Sequence, residues 1–214
     1  MNSLTYDEFL EAFFRDPEED PRETYNSPIY LLRRDINICL NNSKPAIWPA
    51  TLLIFVGFDI LASCYSEKSS NNEQFKDFCE NILNIDDTKS TGLYSFRNAL
   101  THDYGLTDVT RNGVSNSKIM VTFKDIDTEL IEFYQDGVDY RISAYLLKNE
   151  FEHGLEEIRN WLKRNKENAE KLVKESVKRG FLTWRDNFSV SNCTQLTTGS
   201  YTSPISVDET TIHI

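Results

Sequence analysis

Apolar residues fall in two different rhythms along the chain, and the change comes near residue 107. Before it, they recur three and four positions apart, the spacing of one helical face. Phe9, Leu10 and Phe13 predict a short amphipathic helix over 3–14. Ser3 or Thr5 would cap it, with Asp7 and Glu8 in its first turn. Residues 16–28 hold three prolines and many carboxylates, a linker that no helix crosses. Ser27-Pro28 is a helix start, and Ile29, Leu32, Ile36 and Leu40 continue it to about residue 41. Residues 45–65 are almost wholly apolar and predict a central helix over 49–64, covered by neighbours on every side. Phe75, Phe78, Cys79 and Ile82 mark a helix over 72–85. After a loop at 86–91, Ser90 or Thr91 would cap a last bundle helix with Leu93, Phe96 and Leu100 inward and Gly105 as its stop.

Beyond residue 107 the period shortens to two. Residues 107–117 are polar, with a turn at Asn112-Gly113. Stretches 118–124, 129–135 and 138–143 alternate, and Asp136-Gly137 between the last two is a strong hairpin signal. The simplest assembly is a three-stranded antiparallel sheet. Leu147, Phe151, Leu155, Ile158 and Leu162 then predict a helix over 144–165, and 168–179 a second, charged one ended by Gly180. Residues 186–214 are rich in Ser and Thr, with short alternations at Ile205/Val207 and Ile212/Ile214 suited to sheet-edge strands. The predicted fold is mainly α: a helical bundle with an added small antiparallel sheet and C-terminal helices. Its segments are an N-terminal helix and linker (1–27), a bundle (28–109), sheet and helices (110–185) and a tail (186–214).

Composition narrows the function classes. The 214 residues suffice for a real core, and the formal net charge of −11 is the wrong sign for a nonspecific nucleic-acid binder. A nucleic acid would need a local basic patch or a site built from two chains. The charge equally fits an acidic partner of a basic protein, and it argues against a membrane-surface role. Asp59, deep in the apolar stretch, argues against a membrane span, because an unpaired carboxylate there costs roughly 3 kcal/mol. Four scattered cysteines and three distant histidines match no metal-ligand spacing, so no metal and no cofactor is expected. The N-terminus has no export layout, which points to a reducing cytoplasm.

The chemistry concentrates in residues 95–106, S-F-R-N-A-L-T-H-D-Y-G-L. Arg97 and His102 offer a cation and a titratable ring one helical turn apart, a pairing suited to acid–base work on a phosphodiester. Asn98 lies four residues before His102 and can orient its imidazole. Asp59 needs a partner if buried, and Arg97 is the best candidate, with Arg33 or Arg34 next. Arg33 and Arg34 are also candidates for RNA phosphate contacts, although paired basic residues usually form a solvated face. Arg97 and His102 are five residues apart, about 140° of rotation on a straight helix. They converge only if the helix bends or a second chain completes the site. A structural ion-pair network of Arg97, His102 and Asp59 is the plain alternative.

R-N-x-x-x-H at Arg97, Asn98 and His102 resembles the signature of the HEPN superfamily of small helical domains. The full run R-N-A-L-T-H-D-Y, ending at Tyr104, is similar to the R-x4-H-x-Y form of HepT-type toxins. The resemblance covers about residues 28–106. It implies a metal-independent endoribonuclease of toxin or defence type, working as a homodimer with two motif helices across a two-fold axis. His102 would move the proton, Arg97 would hold the phosphoryl oxygens, and Tyr104 would be the residue an antitoxin-like partner modifies. The competing reading is a non-catalytic HEPN-like scaffold or regulatory module that binds a protein partner.

Overall fold

A computed structural model of the chain describes residues 3–4, 6–17, 27–103, 109–111, 114–117, 119–123, 129–134, 139–178 and 189–190. Side chains are described within 6–17, 27–101, 121–123, 129–132 and 141–172. The helices are α1 (Tyr6–Phe13), α2 (Pro28–Leu40), α3 (Ile47–Tyr65), α4 (Asn71–Asn81), α5 (Asp87–Asp103), α6 (Ala144–Arg164) and α7 (Lys166–Lys178). The strands are β1 (Ser3–Leu4), β2 (Val109–Arg111), β3 (Val114–Ser117), β4 (Ile119–Thr122), β5 (Ile131–Tyr134), β6 (Asp139–Ser143) and β7 (Ser189–Val190).

The caps explain most of the helix bounds. Ser27 Oγ accepts from the amide of Tyr30 at 2.9 Å and donates to the carbonyl of Phe13 at 2.6 Å. One hydroxyl thus starts α2 and ties it to the end of α1. Ser70 accepts from the Glu73 amide, and its hydroxyl donates to the Glu73 carboxylate, which closes the first turn of α4. α4 then stops at Asn81, short of the predicted residue 85, and Asn84 follows in a left-handed conformation (φ 54°). α5 starts at Asp87, not at 91, because the Asp86 carboxylate takes the amide of Lys89 at 2.9 Å. Ser90, the expected cap, is buried inside the helix instead.

α3 is the axis of the bundle, with α2, α4 and α6 as its main neighbours and α5 beside them. Phe55, Phe58, Phe75, Phe78, Phe96 and Phe151 are all buried and meet ring to ring. α6 crosses α3 closely at glycine. A Cβ on Gly57 would lie 2.4 Å from the Phe151 ring, and one on Gly154 2.8 Å from Phe78. The core therefore continues from α3 and α4 into α6, across the boundary the sequence pattern places at residue 109. α3 is also the one helix among the described residues that is long and apolar enough, by length and composition, to cross a membrane.

The sheet departs from the simple meander. β5 and β6 pair antiparallel as expected, but β6 lies in the middle and β4 runs parallel to it. The alternation specifies the strands, and the turn predicted at Asp136-Gly137 lies outside the described residues. Neither says which strand takes the centre. β6 takes it because Ile142 is fully buried and the strand leads straight into α6, where Ser143 accepts from the Leu146 amide. β2 and β3 pair antiparallel where the sequence shows only a polar loop; the predicted turn at Asn112-Gly113 lies outside the described residues. β1 pairs in parallel with β7, so residues 3–4 are strand and α1 begins at Tyr6. Gly105, Gly180 and the alternations at Ile205/Val207 and Ile212/Ile214 lie outside the described residues.

Candidate functional site

α5 turns Leu93, Phe96 and Leu100 into the core, and all three are fully or almost fully buried. That fixes the rotation of the helix and sends Arg97 out of its flank, towards α3. Arg97 Nε and Nη2 both donate to Asp59 Oδ2, at 3.0 and 2.6 Å. Its Nη1 donates to Asn98 Oδ1 at 2.8 Å, and the guanidinium lies 6.0 Å from the centre of the Tyr94 ring. The Thr101 hydroxyl returns to the carbonyls of Arg97 and Asn98. The expected Asp59 partner is therefore the observed one. The side chains are 17% and 28% exposed, so this is an ion pair at the edge of the core, where its charges interact more strongly than on the surface. Burial raises the Asp59 carboxyl above the usual carboxylate range, and the Arg97 hydrogen bonds and charge work against that rise.

Asn98 makes a contact that its spacing to His102 does not predict. Its amide oxygen accepts from Arg97 and so braces the guanidinium. The backbone of His102 belongs to the last turn of α5. Its side chain lies outside the described residues, as does all of Tyr104.

Arg33 is not brought to this place. It donates to both oxygens of Glu152 at 2.6 and 3.3 Å, to Asp16, and to the Phe14 carbonyl at 3.2 Å. Its side chain is 12% exposed. The guanidinium is spent on joining the end of α1 to α2 and α6. Here the structure corrects the reading of Arg33 as a phosphate contact, because a cation closed by two carboxylates has little left to offer an anion. Arg34 is more exposed and pairs with its neighbour Asp35 at 2.9 Å. Among the described residues Arg33 and Arg97 share no partner.

Two hollows flank the outward side of α3. A cavity of about 240 Å³ between α3 and α4 is lined by Asp59 together with Val56, Ile60, Ser63, Asn71 and Gln74. A larger cleft of about 540 Å³ lies past the C-terminal end of α3, where Lys68 and, on α7, Lys171 join its lining. Sequence spacing gave no sign of either lysine, since only tertiary packing brings α7 to the end of α3. Burial pushes the Cys64 thiol up to about 12 and the Cys79 thiol higher still, so neither is a nucleophile near neutral pH. Among the described residues no group of three His, Cys, Asp or Glu is placed to hold a metal ion. Compared with family models, curated proteins and solved structures, the chain matches none.

Proposed function

We propose that this chain is a HEPN-like, metal-independent endoribonuclease of toxin or defence type that works as a homodimer. The observation that supports it most is the state of Arg97. Asp59, which lines a cavity, and Asn98 hold its guanidinium in one pose, on the helix that also carries His102. A cation fixed before substrate arrives is what stabilising a phosphoryl transition state requires. In the reaction, a ribose 2′-hydroxyl attacks the adjacent phosphorus and loses its proton to an imidazole. The 5′-oxygen leaves and takes a proton, giving a cyclic phosphate and a free 5′-hydroxyl. His102 is the proton carrier and Arg97 steadies the phosphoryl oxygens.

The dimer has support of its own. Trp48, Leu52 and Val56 are four residues apart on the outward side of α3, with Trp48 39% and Val56 37% exposed. Asp59 stands one turn further on. A second copy seated on this side would set two Arg97 residues near a shared axis.

One observation favours the scaffold reading. Among the described residues, Asp59 and Asn98 already use three of the five N–H groups a guanidinium has. The two readings separate on total RNA incubated in chelator. Wild type should cleave and His102→Ala should not; equal activity in the two, or none in either, rejects the nuclease.

A further inference from the structure

We propose that the cleft reaching Lys68 and Lys171 is a second subsite for the RNA strand, adjoining the hollow lined by Asp59, the carboxylate that holds Arg97. This rests on the nuclease reading and adds to it the path of the substrate.

Three observations carry it. First, the two hollows share Ile60, Ser63 and Gln74, so they adjoin along α3. One end touches Asp59, the residue that holds Arg97. The other passes the end of α3 at Tyr65, about 9 Å further along the helix axis. Cations at that end serve a neighbouring phosphate, not the reacting one.

Second, the charge is right locally although it is wrong overall. In a chain of net charge −11, most basic side chains near the core are tied to carboxylates, as Arg33 is. Lys68 and Lys171 are exposed, and among the described residues neither ammonium makes an ion pair. Glu67 lines the same cleft and opposes them, which leaves one net positive charge on its lining. That is enough to position a phosphate without drawing in nucleic acid at large.

Third, the rest of the lining suits an unstacked base. Phe13, Ile60 and Leu172 give an apolar wall; Gln74 Nε2 donates to the Lys68 carbonyl at 2.7 Å and leaves its oxygen and second N–H, and the Asn168 amide adds a donor and an acceptor for a base edge. A double helix has no base free to enter such a cleft, so the strand it takes is single.

The test uses the full chain carrying His102→Ala, so that the strand survives, and a short fluorescein-labelled single-stranded RNA. Anisotropy across a salt series gives affinity and salt slope. Adding Lys68→Gln and Lys171→Gln together should weaken binding about tenfold and reduce the slope by about 0.7 per lysine. Lys166→Gln, on the same helix as Lys171 but off the cleft, should change neither. Unchanged affinity and slope in the double variant overturns the subsite, and so does failure of the parent to bind RNA. AMP that binds as tightly as the strand, with the same lysine dependence, overturns it in favour of a small-anion site. Lysine-dependent binding with no cleavage by wild type leaves the subsite standing and removes the nuclease. Cleavage by wild type that ignores the lysines does the reverse.

Discussion

The two sides of α3 are almost equally apolar in sequence and entirely different in use. Its inner side buries Ile54, Phe55, Phe58 and Leu61 completely, and Gly57 lets the Phe151 ring of α6 come against the backbone. Its outer side leaves Trp48 and Val56 more than one third exposed and turns Asp59 to Arg97. Hydrophobicity fixes which residues leave water but not what covers them. On the inner side the cover is this chain's own α4 and α6. On the outer side α5 covers part of it, through Trp48 against Phe96 and Asp59 against Arg97, and leaves Val56 open to something else.

The contrast breaks most readily at Phe58, whose ring meets those of Phe55, Phe75, Phe78 and Phe151. Phe58→Ala should cost about 3–5 kcal/mol in urea unfolding. A loss near zero would mean the inner side is not the packed one. Next comes Gly57→Ala. Helix propensity alone would favour alanine by under about 1 kcal/mol, but overpacking against Phe151 should turn the sum into a net loss of about 1–3 kcal/mol. Phe151→Leu should relieve part of that loss, and strict additivity of the two changes would contradict the close crossing.

On the outer side the effects should be smaller and fall on function. Arg97→Ala leaves a half-buried carboxylate without its partner, and should cost about 1–2 kcal/mol, less than for a fully enclosed pair. It should also abolish RNA cleavage, whereas Phe58→Ala should weaken cleavage only as far as it unfolds the protein. Val56→Glu should shift urea unfolding by under about 0.5 kcal/mol at low protein concentration while lowering the sedimentation mass. A dimer that survives Val56→Glu would place the two-fold elsewhere.

The smallest effect is in the titration of Asp59. Burial raises its folded pKa, so the fold binds this proton more tightly than the unfolded chain does. The resulting stability is present at low pH and is lost as pH rises through the folded value. In Arg97→Ala the opposing hydrogen bonds and charge are gone, and the Asp59 carboxyl carbon should titrate higher still by NMR. A downward move would reverse the assigned cause.

These two regions also differ in how far the sequence revealed them. The inner side was legible because burial repeats: Leu93, Phe96 and Leu100, or Leu147, Phe151 and Leu155, show their face by spacing alone. The Asp59–Arg97 pair was legible by elimination, since a carboxylate in so apolar a helix demands a cation. The Arg97–Asn98 hydrogen bond was not, because adjacent residues 97 and 98 meet through a folded-back guanidinium that no helical spacing rule describes. Arg33 looked free in sequence and was not, because Asp16 and Glu152 come from distant segments. The central place of β6 and the lysine cleft were hidden for the same reason: both depend on which elements meet, and local pattern is silent on that.

A site shared between two chains, built on Arg97 and His102, is tested most directly by mixing. Arg97→Ala and His102→Ala proteins, each folded by circular dichroism, are combined under conditions that exchange subunits and given RNA in chelator. Each alone should be inactive, and the mixture should recover a measurable part of wild-type cleavage, because one protomer supplies the guanidinium and the other the imidazole. A mixture as inactive as its components, beside an active wild type, would contradict the shared site.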